Sequence, residues 1–209
     1  MFIPRGLYGI TPDWIEFSKV LQAVEIACDA GLPMLQFRRK IKEPSFERLK
    51  QCQAIKNICD KNNCVLIVND NLELARSCEA NGVHLGSEDM DLLDAKLGEA
   101  LNSNNFIVGM SCYNELELAS KAVELGASYI AFGSMFPSPT KPNAVKANLD
   151  LIRRARKLFP VTPIVCIGGI TLDNAPYVIE AGADMLAVIS GLFEKEDIAT
   201  TIKEFNKLF

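Results

Sequence analysis

Eight short apolar runs recur along the chain, each followed by a stretch with helical spacing, and this alternation restricts its folding more than any other feature. The runs fall at 7–10, 34–38, 65–68, 82–85, 106–110, 129–132, 164–167 and 185–188. Continuous apolar segments of this length suit strands of a parallel sheet covered on both faces. The first intervening segment places Phe17, Val20, Leu21, Val24 and Cys28 on one helical face. It is preceded by Thr11-Pro12-Asp13, where Pro12 suits a first helical turn and Asp13 with Glu16 has capping-box spacing. A second helix, with Phe46, Leu49, Cys52, Ile55 and Cys59 at helical intervals, starts after Pro44-Ser45. Three helix-to-strand returns look alike: Glu79-Ala80-Asn81-Gly82, Glu124-Leu125-Gly126-Ala127 and Glu180-Ala181-Gly182-Ala183. In each, glycine is expected to take the left-handed position that ends a helix.

Eight strand–helix units in 209 residues, with no linker or low-complexity stretch, predict one (β/α)₈ TIM barrel spanning 1–209 as a single domain. A flat doubly wound sheet is the competing fold, but its glycine fingerprint is missing, because Ile10 is followed by Thr11-Pro12. A net charge of −4 argues against a nucleic-acid or membrane-surface partner. An anionic small molecule would therefore need a local cationic cluster, and Arg38-Arg39-Lys40 supplies one. The N-terminus lacks signal-peptide character and no run of about 18 apolar residues occurs, so the expected location is cytoplasmic. The seven cysteines are irregularly spaced, with no Cys-x-x-Cys and a single histidine in the chain, His84. They are expected to be reduced and packed in the core, Cys112 standing apart because it follows a strand end.

The unusual polar residues gather at the carboxyl ends of the expected strands, where barrels of this kind keep their sites. Alternation along an extended chain would put Gln36, Arg38 and Lys40 on one face, an amide and two cations fit for a polar ring bearing phosphate, with Arg39 turned away. Asn69-Asp70-Asn71 reads either as a turn with a helix cap or, with Asp89 after the next strand, as hard ligands for Mg²⁺. Ser111 brings a hydroxyl to the mouth, and the loop 133–141 brings Ser138, Thr140 and Lys141. Gly168-Gly169 and Ile189-Ser190-Gly191 follow the last two strands, the common phosphate position in barrels. His84, inside a strand, reads as a hydrogen-bonded core group rather than a catalyst. No nucleophile–base pairing is visible.

As a set, these residues resemble the thiamine phosphate synthase family. The resemblance rests on Gln36-x-Arg38-x-Lys40, Asn69-Asp70, Gly82-Val83-His84-Leu85-Gly86-x-x-Asp89, Gly109-x-Ser111, Thr140-Lys141, Gly168-Gly169-Ile170 and Ile189-Ser190, and covers essentially the whole chain from Leu7. It implies a transferase of thiamine biosynthesis that joins 4-amino-5-hydroxymethyl-2-methylpyrimidine diphosphate to a thiazole phosphate and releases pyrophosphate. By position it implies Gln36 at the aminopyrimidine. Arg38, Lys40, Asn69, Ser111 and Lys141 would hold the diphosphate, with Arg38, Ser111 and Lys141 the catalytic set. Asp70 and Asp89 would hold Mg²⁺, and Ser138, Thr140, Gly169, Ile189 and Ser190 would line the thiazole phosphate side.

The chain departs from the family pattern in three places. Arg39 stands where an acidic residue is common, Ser138-Pro139-Thr140 replaces Thr-x-Thr, and Cys112-Tyr113 replaces Ala-His after Ser111. The last change bears on the alternatives. Thiazole tautomerases resemble the same barrel but rely on a histidine near Tyr113 and generally lack the Thr-Lys loop. A catalytically silent precursor-binding homologue would not need Asp70, Asp89 and Lys141. A sugar-phosphate isomerase would need an acid–base pair that is not visible. Whether the chain forms a homo-oligomer is left open by the sequence.

Overall fold

All eight strands are parallel and bond in sequence order until the last returns to the first, closing the barrel and excluding the flat sheet. The computed structural model describes residues 3–86, 98, 105–137 and 145–209. The strands are β1 (Gly6–Ile10), β2 (Met34–Phe37), β3 (Val65–Asn69), β4 (Gly82–Leu85), β5 (Ile107–Tyr113), β6 (Tyr129–Gly133), β7 (Ile164–Ile167) and β8 (Met185–Val188). Among the described residues the helices are α1 (Phe17–Asp29), α2 (Ser45–Lys61), α3 (Leu72–Ser77), α4 (Leu116–Glu124), α5 (Leu149–Leu158), α6 (Ala175–Glu180), α7 (Ser190–Phe193) and α8 (Ile198–Asn206). No helix among the described residues is long and apolar enough to cross a membrane.

The period-two alternation of the strands separates two cores. One set of side chains (Leu7, Leu35, Leu66, Val83, Val108, Ile130, Ile164, Leu186) packs outward against the helices. The alternate set (Tyr8, Met34, Ile67, Ile107, Tyr129, Val165, Met185) fills the barrel. Continuing the inward parity toward the carboxyl ends replaces apolar residues with Gln36, Asn69, His84 and Ser111, so the interior turns polar at the end where the site lies.

Five helices end the same way. Gly31, Asn63, Glu79, Gly126 and Gly182 all have positive φ. In each case the next residue donates its N–H to the carbonyl five positions earlier: Leu32 to Ala27, Cys64 to Cys59, Ala80 to Ala75, Ala127 to Ala122 and Ala183 to Val178. This is the Schellman closure, which satisfies carbonyls left over at the helix end. Two of the three expected glycines do this work. In the third return Glu79 takes the left-handed position (φ 54°), and Gly82 serves differently: a Cβ there would stand 2.1 Å from the Ile107 carbonyl oxygen of the neighbouring strand.

The expected capping box before α1 does not form. Glu16 is the N-cap and its side chain makes no cap bond, while Asp13 is drawn to the second strand's loop instead. β2 ends at Phe37 rather than Arg38, because the 38–40 backbone is held by Thr11 and Asp13. The expectation of reduced cysteines holds for Cys28, Cys59, Cys64, Cys112 and Cys166, which are free and buried, but fails for Cys52 and Cys78. These two are joined, their Cα atoms 6.1 Å apart, because packing of α2 against α3 sets them side by side.

Candidate active site

At the barrel mouth the first two loops lock together. The Thr11 hydroxyl donates to the Arg38 carbonyl (2.8 Å) and accepts from the Arg38 N–H (2.9 Å). Asp13 accepts from the Lys40 N–H (2.8 Å) and pairs with the Arg38 guanidinium. β2 ends at Phe37, so Arg38 and Lys40, expected on the Gln36 face, lie in the loop beyond the strand. Two carboxylates orient the cations instead: Asp13 takes Arg38, and Asp70 takes the Lys40 ammonium at 2.6 Å. The latter pair is half-exposed and adds little to stability; it sets direction.

Arg39, expected to turn away from the ligand face, is not solvated. Its side chain is buried, bonds the Trp14 and Ile15 carbonyls, and lies 3.5 Å from the Glu43 carboxylate. Arg48 and Gln51 of α2 also meet Glu43. This buried group backs a cavity of about 250 Å³ lined by Phe37, Arg39, Lys40, Arg48, Asn69 and Asp70 among others. The Asp70 backbone is left-handed (φ 58°) and its N–H bonds the His84 carbonyl (2.8 Å), which swings its carboxylate over this cavity. Asn71 takes the plainer of its two readings and caps α3 through the Leu74 N–H (2.8 Å).

Inside the mouth, hydrogen bonds run across the barrel. Gln36 Nε2 donates to the Tyr8 hydroxyl (2.9 Å), which is 3.0 Å from the Tyr129 hydroxyl. Tyr129 reaches His84 Nδ1 (2.9 Å), and His84 Nε2 reaches the Ser111 hydroxyl (2.9 Å). Counting protons orders the chain. If each phenol donates onward, His84 is the neutral Nε2–H tautomer and donates to Ser111, so every buried donor has a partner. Burial pushes both phenols above their ordinary range, keeping them protonated donors. His84 is thus the hydrogen-bonded core group expected. The sequence reading missed Tyr8 and Tyr129. The available signal was the inward parity of both tyrosines, together with Gly109, where a Cβ would come within 1.9 Å of the Tyr129 ring.

On the far side, Ile167-Gly168-Gly169-Ile170 and Ala187-Val188-Ile189-Ser190-Gly191 line a second cavity of about 40 Å³. α7, the short extra helix, begins here at Ser190. Gly168 and Gly169 have positive φ (104° and 61°), and a Cβ on Gly169 would meet the Pro137 carbonyl oxygen at 2.4 Å. The arrangement matches the usual barrel phosphate site, built from the last two strand loops and a short helix. Cys112 faces the outer core, fully buried, and its thiol is pushed up to about 12 by desolvation. Tyr113 follows a register shift in β5, has φ 50° and is 41% exposed. Asp89, Ser138, Thr140 and Lys141 lie outside the described residues.

This geometry can be set beside known proteins. The sequence model described as thiamine monophosphate synthase matches residues 7–192. The chain belongs to that family. A thiamine-phosphate synthase from Azoarcus sp. (strain BH72) is 43% identical over 205 residues, covering 98% of this chain and 97% of the relative. One from Bordetella bronchiseptica is 44% identical over 202 residues, covering 93% and 90%. The structure of a thiamine phosphate pyrophosphorylase from Pyrococcus furiosus superposes with a TM-score of 0.82 at 30% identity, over 97% of this chain and 94% of that one. Family membership thus extends across both cavities and the hydrogen-bonded chain between them.

Proposed function

We propose that this barrel is a thiamine-phosphate synthase, joining 4-amino-5-hydroxymethyl-2-methylpyrimidine diphosphate to 4-methyl-5-(2-hydroxyethyl)thiazole phosphate. One observation carries the reading: a member of this family gathers Gln36, Asn69 and Ser111 at the carboxyl ends of β2, β3 and β5, with Lys40 and Asp70 paired beside them, and has a glycine-lined cavity after β7 and β8 at the same barrel mouth. Two phosphorylated substrates need two such places. In the proposed roles, Gln36 meets the aminopyrimidine, and Arg38, Lys40, Asn69, Ser111 and Lys141 hold the diphosphate. Ser138, Thr140, Gly169, Ile189 and Ser190 line the thiazole phosphate side.

The residues present fit a Mg²⁺ that arrives with its diphosphate. That ion takes one or two carboxylates and completes its shell with water and phosphate, and Asp70 offers such a carboxylate at the rim of the larger cavity beside the Asn69 amide. Asp70 and Asp89 would hold it, and when bound it would neutralise charge developing on the leaving pyrophosphate.

The bond between the pyrimidine methylene and the diphosphate oxygen breaks, its electron pair leaving with pyrophosphate. The amino-substituted ring stabilises the cation, and the thiazole nitrogen lone pair forms the new carbon–nitrogen bond. No enzyme nucleophile is required. Arg38 and Lys40 supply positive charge where the leaving group gains negative charge, and Ser111, its oxygen accepting from His84, keeps its own proton for a phosphate oxygen. Holding both rings close supplies much of the remaining acceleration. The substrates are small molecules, with no nucleic-acid or membrane partner. At Tyr113 the chain lacks the histidine on which a tautomerase would rely near that position.

The test is pyrophosphate release from purified protein with both substrates and Mg²⁺, each omitted in turn. Release should require all three. Folded protein that releases none would overturn the proposal and favour the tautomerase or the silent binder.

A further inference from the structure

At the opposite end of the barrel three thiols meet where no part of the proposed chemistry needs them. Cys28 lies in the last turn of α1, Cys59 in the last turn of α2, and Cys64 immediately before β3. The Schellman closure of α2 explains the second and third. With Asn63 left-handed at φ 55°, the Cys64 N–H bonds the Cys59 carbonyl at 2.9 Å. That motif brings together the side chains at its two ends, a contact usually made by apolar residues. Here both are cysteines, and packing of α1 on α2 adds Cys28. The three sulfur atoms lie within 4.8 Å of one another. All three residues are almost fully buried, at 2%, 0% and 4% exposure, and none is in a disulfide.

We propose that Cys28, Cys59 and Cys64 form a buried all-thiolate site for one copper(I) ion. A metal–sulfur bond of about 2.3 Å sets three sulfurs in one plane about 4 Å apart, so little movement is needed from the present spacing. Ligand type and number choose the metal. Thiolates select soft ions such as copper(I) and zinc. Structural zinc sites are closed by four ligands, and among the described residues no fourth His, Cys, Asp or Glu joins these three. Each sulfur that ligates loses its thiol proton to solvent, and no electron moves, because copper enters and remains as copper(I). The ion would tie the ends of α1 and α2 to the start of β3, on the face where barrels keep stability rather than catalysis.

The test is an anaerobic titration with copper(I) delivered as its bicinchoninate complex, whose visible absorbance falls as protein removes the ion. One equivalent should transfer with a new near-ultraviolet thiolate-to-copper band. Saturation should raise the thermal midpoint by roughly 5–10 °C, from ligand linkage at about a hundredfold excess over Kd. Cys28→Ser should bind at least about tenfold more weakly, whereas Cys112→Ser, altered outside the cluster, should bind as the native chain does. X-ray absorption of the loaded native protein should count three sulfur neighbours, a readout that stands even if the serine variant fails to fold. Failure to take up copper, an unchanged affinity in folded Cys28→Ser, fewer than three sulfurs, or zinc binding on equal terms would each overturn the assignment.

Discussion

Tyr129 is a small polar commitment inside an apolar wall, and its hydroxyl sits between Tyr8 and His84 with no water-exposed alternative. Tyr129→Phe would leave one buried donor and one acceptor unmatched. That should cost about 1–3 kcal/mol in urea unfolding and lower turnover through Ser111 rather than through the cation sites. Arg39 shows the opposite lesson. The sequence presents it as a tolerant position turned from the ligand, yet its buried guanidinium is fixed by two carbonyls and Glu43. Arg39→Glu should therefore destabilise the fold by about 3–5 kcal/mol, because two carboxylates would then share a buried space with one partner fewer. Lys141→Ala and Asp89→Ala should instead reduce turnover at least tenfold, about 1.4 kcal/mol of transition-state stabilisation. Near-native rates in either would remove the leaving-group roles proposed for them.

At the level of elements, the strands were legible because parallel strands buried on both faces read as continuous apolar runs. Seven of the eight agree with the structure to within one residue at each end, and only β5 runs further, through Cys112 and Tyr113. What could not be read was which residue would bear the strain of a turn. Asn63 and Glu79 hold the left-handed positions that glycine holds in three sister returns, and nothing local announces a glutamate there. The backbone hydrogen bonds are the same in all five, so the closure is imposed by the strand that follows. Glu79→Gly should accordingly raise stability by about 1 kcal/mol in urea unfolding, the left-handed cost relieved less the entropy glycine adds to the unfolded chain. The candidate site was legible as positions but not as contacts. Strand parity locates Gln36, Asn69, His84 and Ser111. The pairing of Asp13 with Arg38 joins residues 25 apart through two loops, which no local pattern encodes.

On the scale of the whole molecule, the barrel divides its polar and apolar work along one axis, and that division carries a pH dependence. Tyr8 and Tyr129 lie where burial raises their ionisation above the ordinary tyrosine range, and Cys112 and Cys166 are raised by burial as well. In the unfolded chain these phenols ionise near 10 and the thiols near 8.5. Above those values the unfolded state holds fewer protons than the folded one, so unfolding releases protons and stability falls as pH rises. The loss should begin as pH passes about 8.5, from the thiols. It should steepen above about 10, where the two phenols alone contribute about 2.7 kcal/mol per pH unit. Urea midpoints taken across pH 7 to 11 should be flat at first and then drop. Tyrosinate absorbance from the buried pair should appear together with loss of the circular dichroism signal rather than before it. Tyr129→Phe should remove half of the phenols' share of the fall above pH 10, about 1.4 kcal/mol per pH unit, while starting from lower stability, which separates linkage through the phenols from general charge repulsion. A decline of equal slope in both proteins would mean that the Tyr129 phenol ionises while the barrel stays closed.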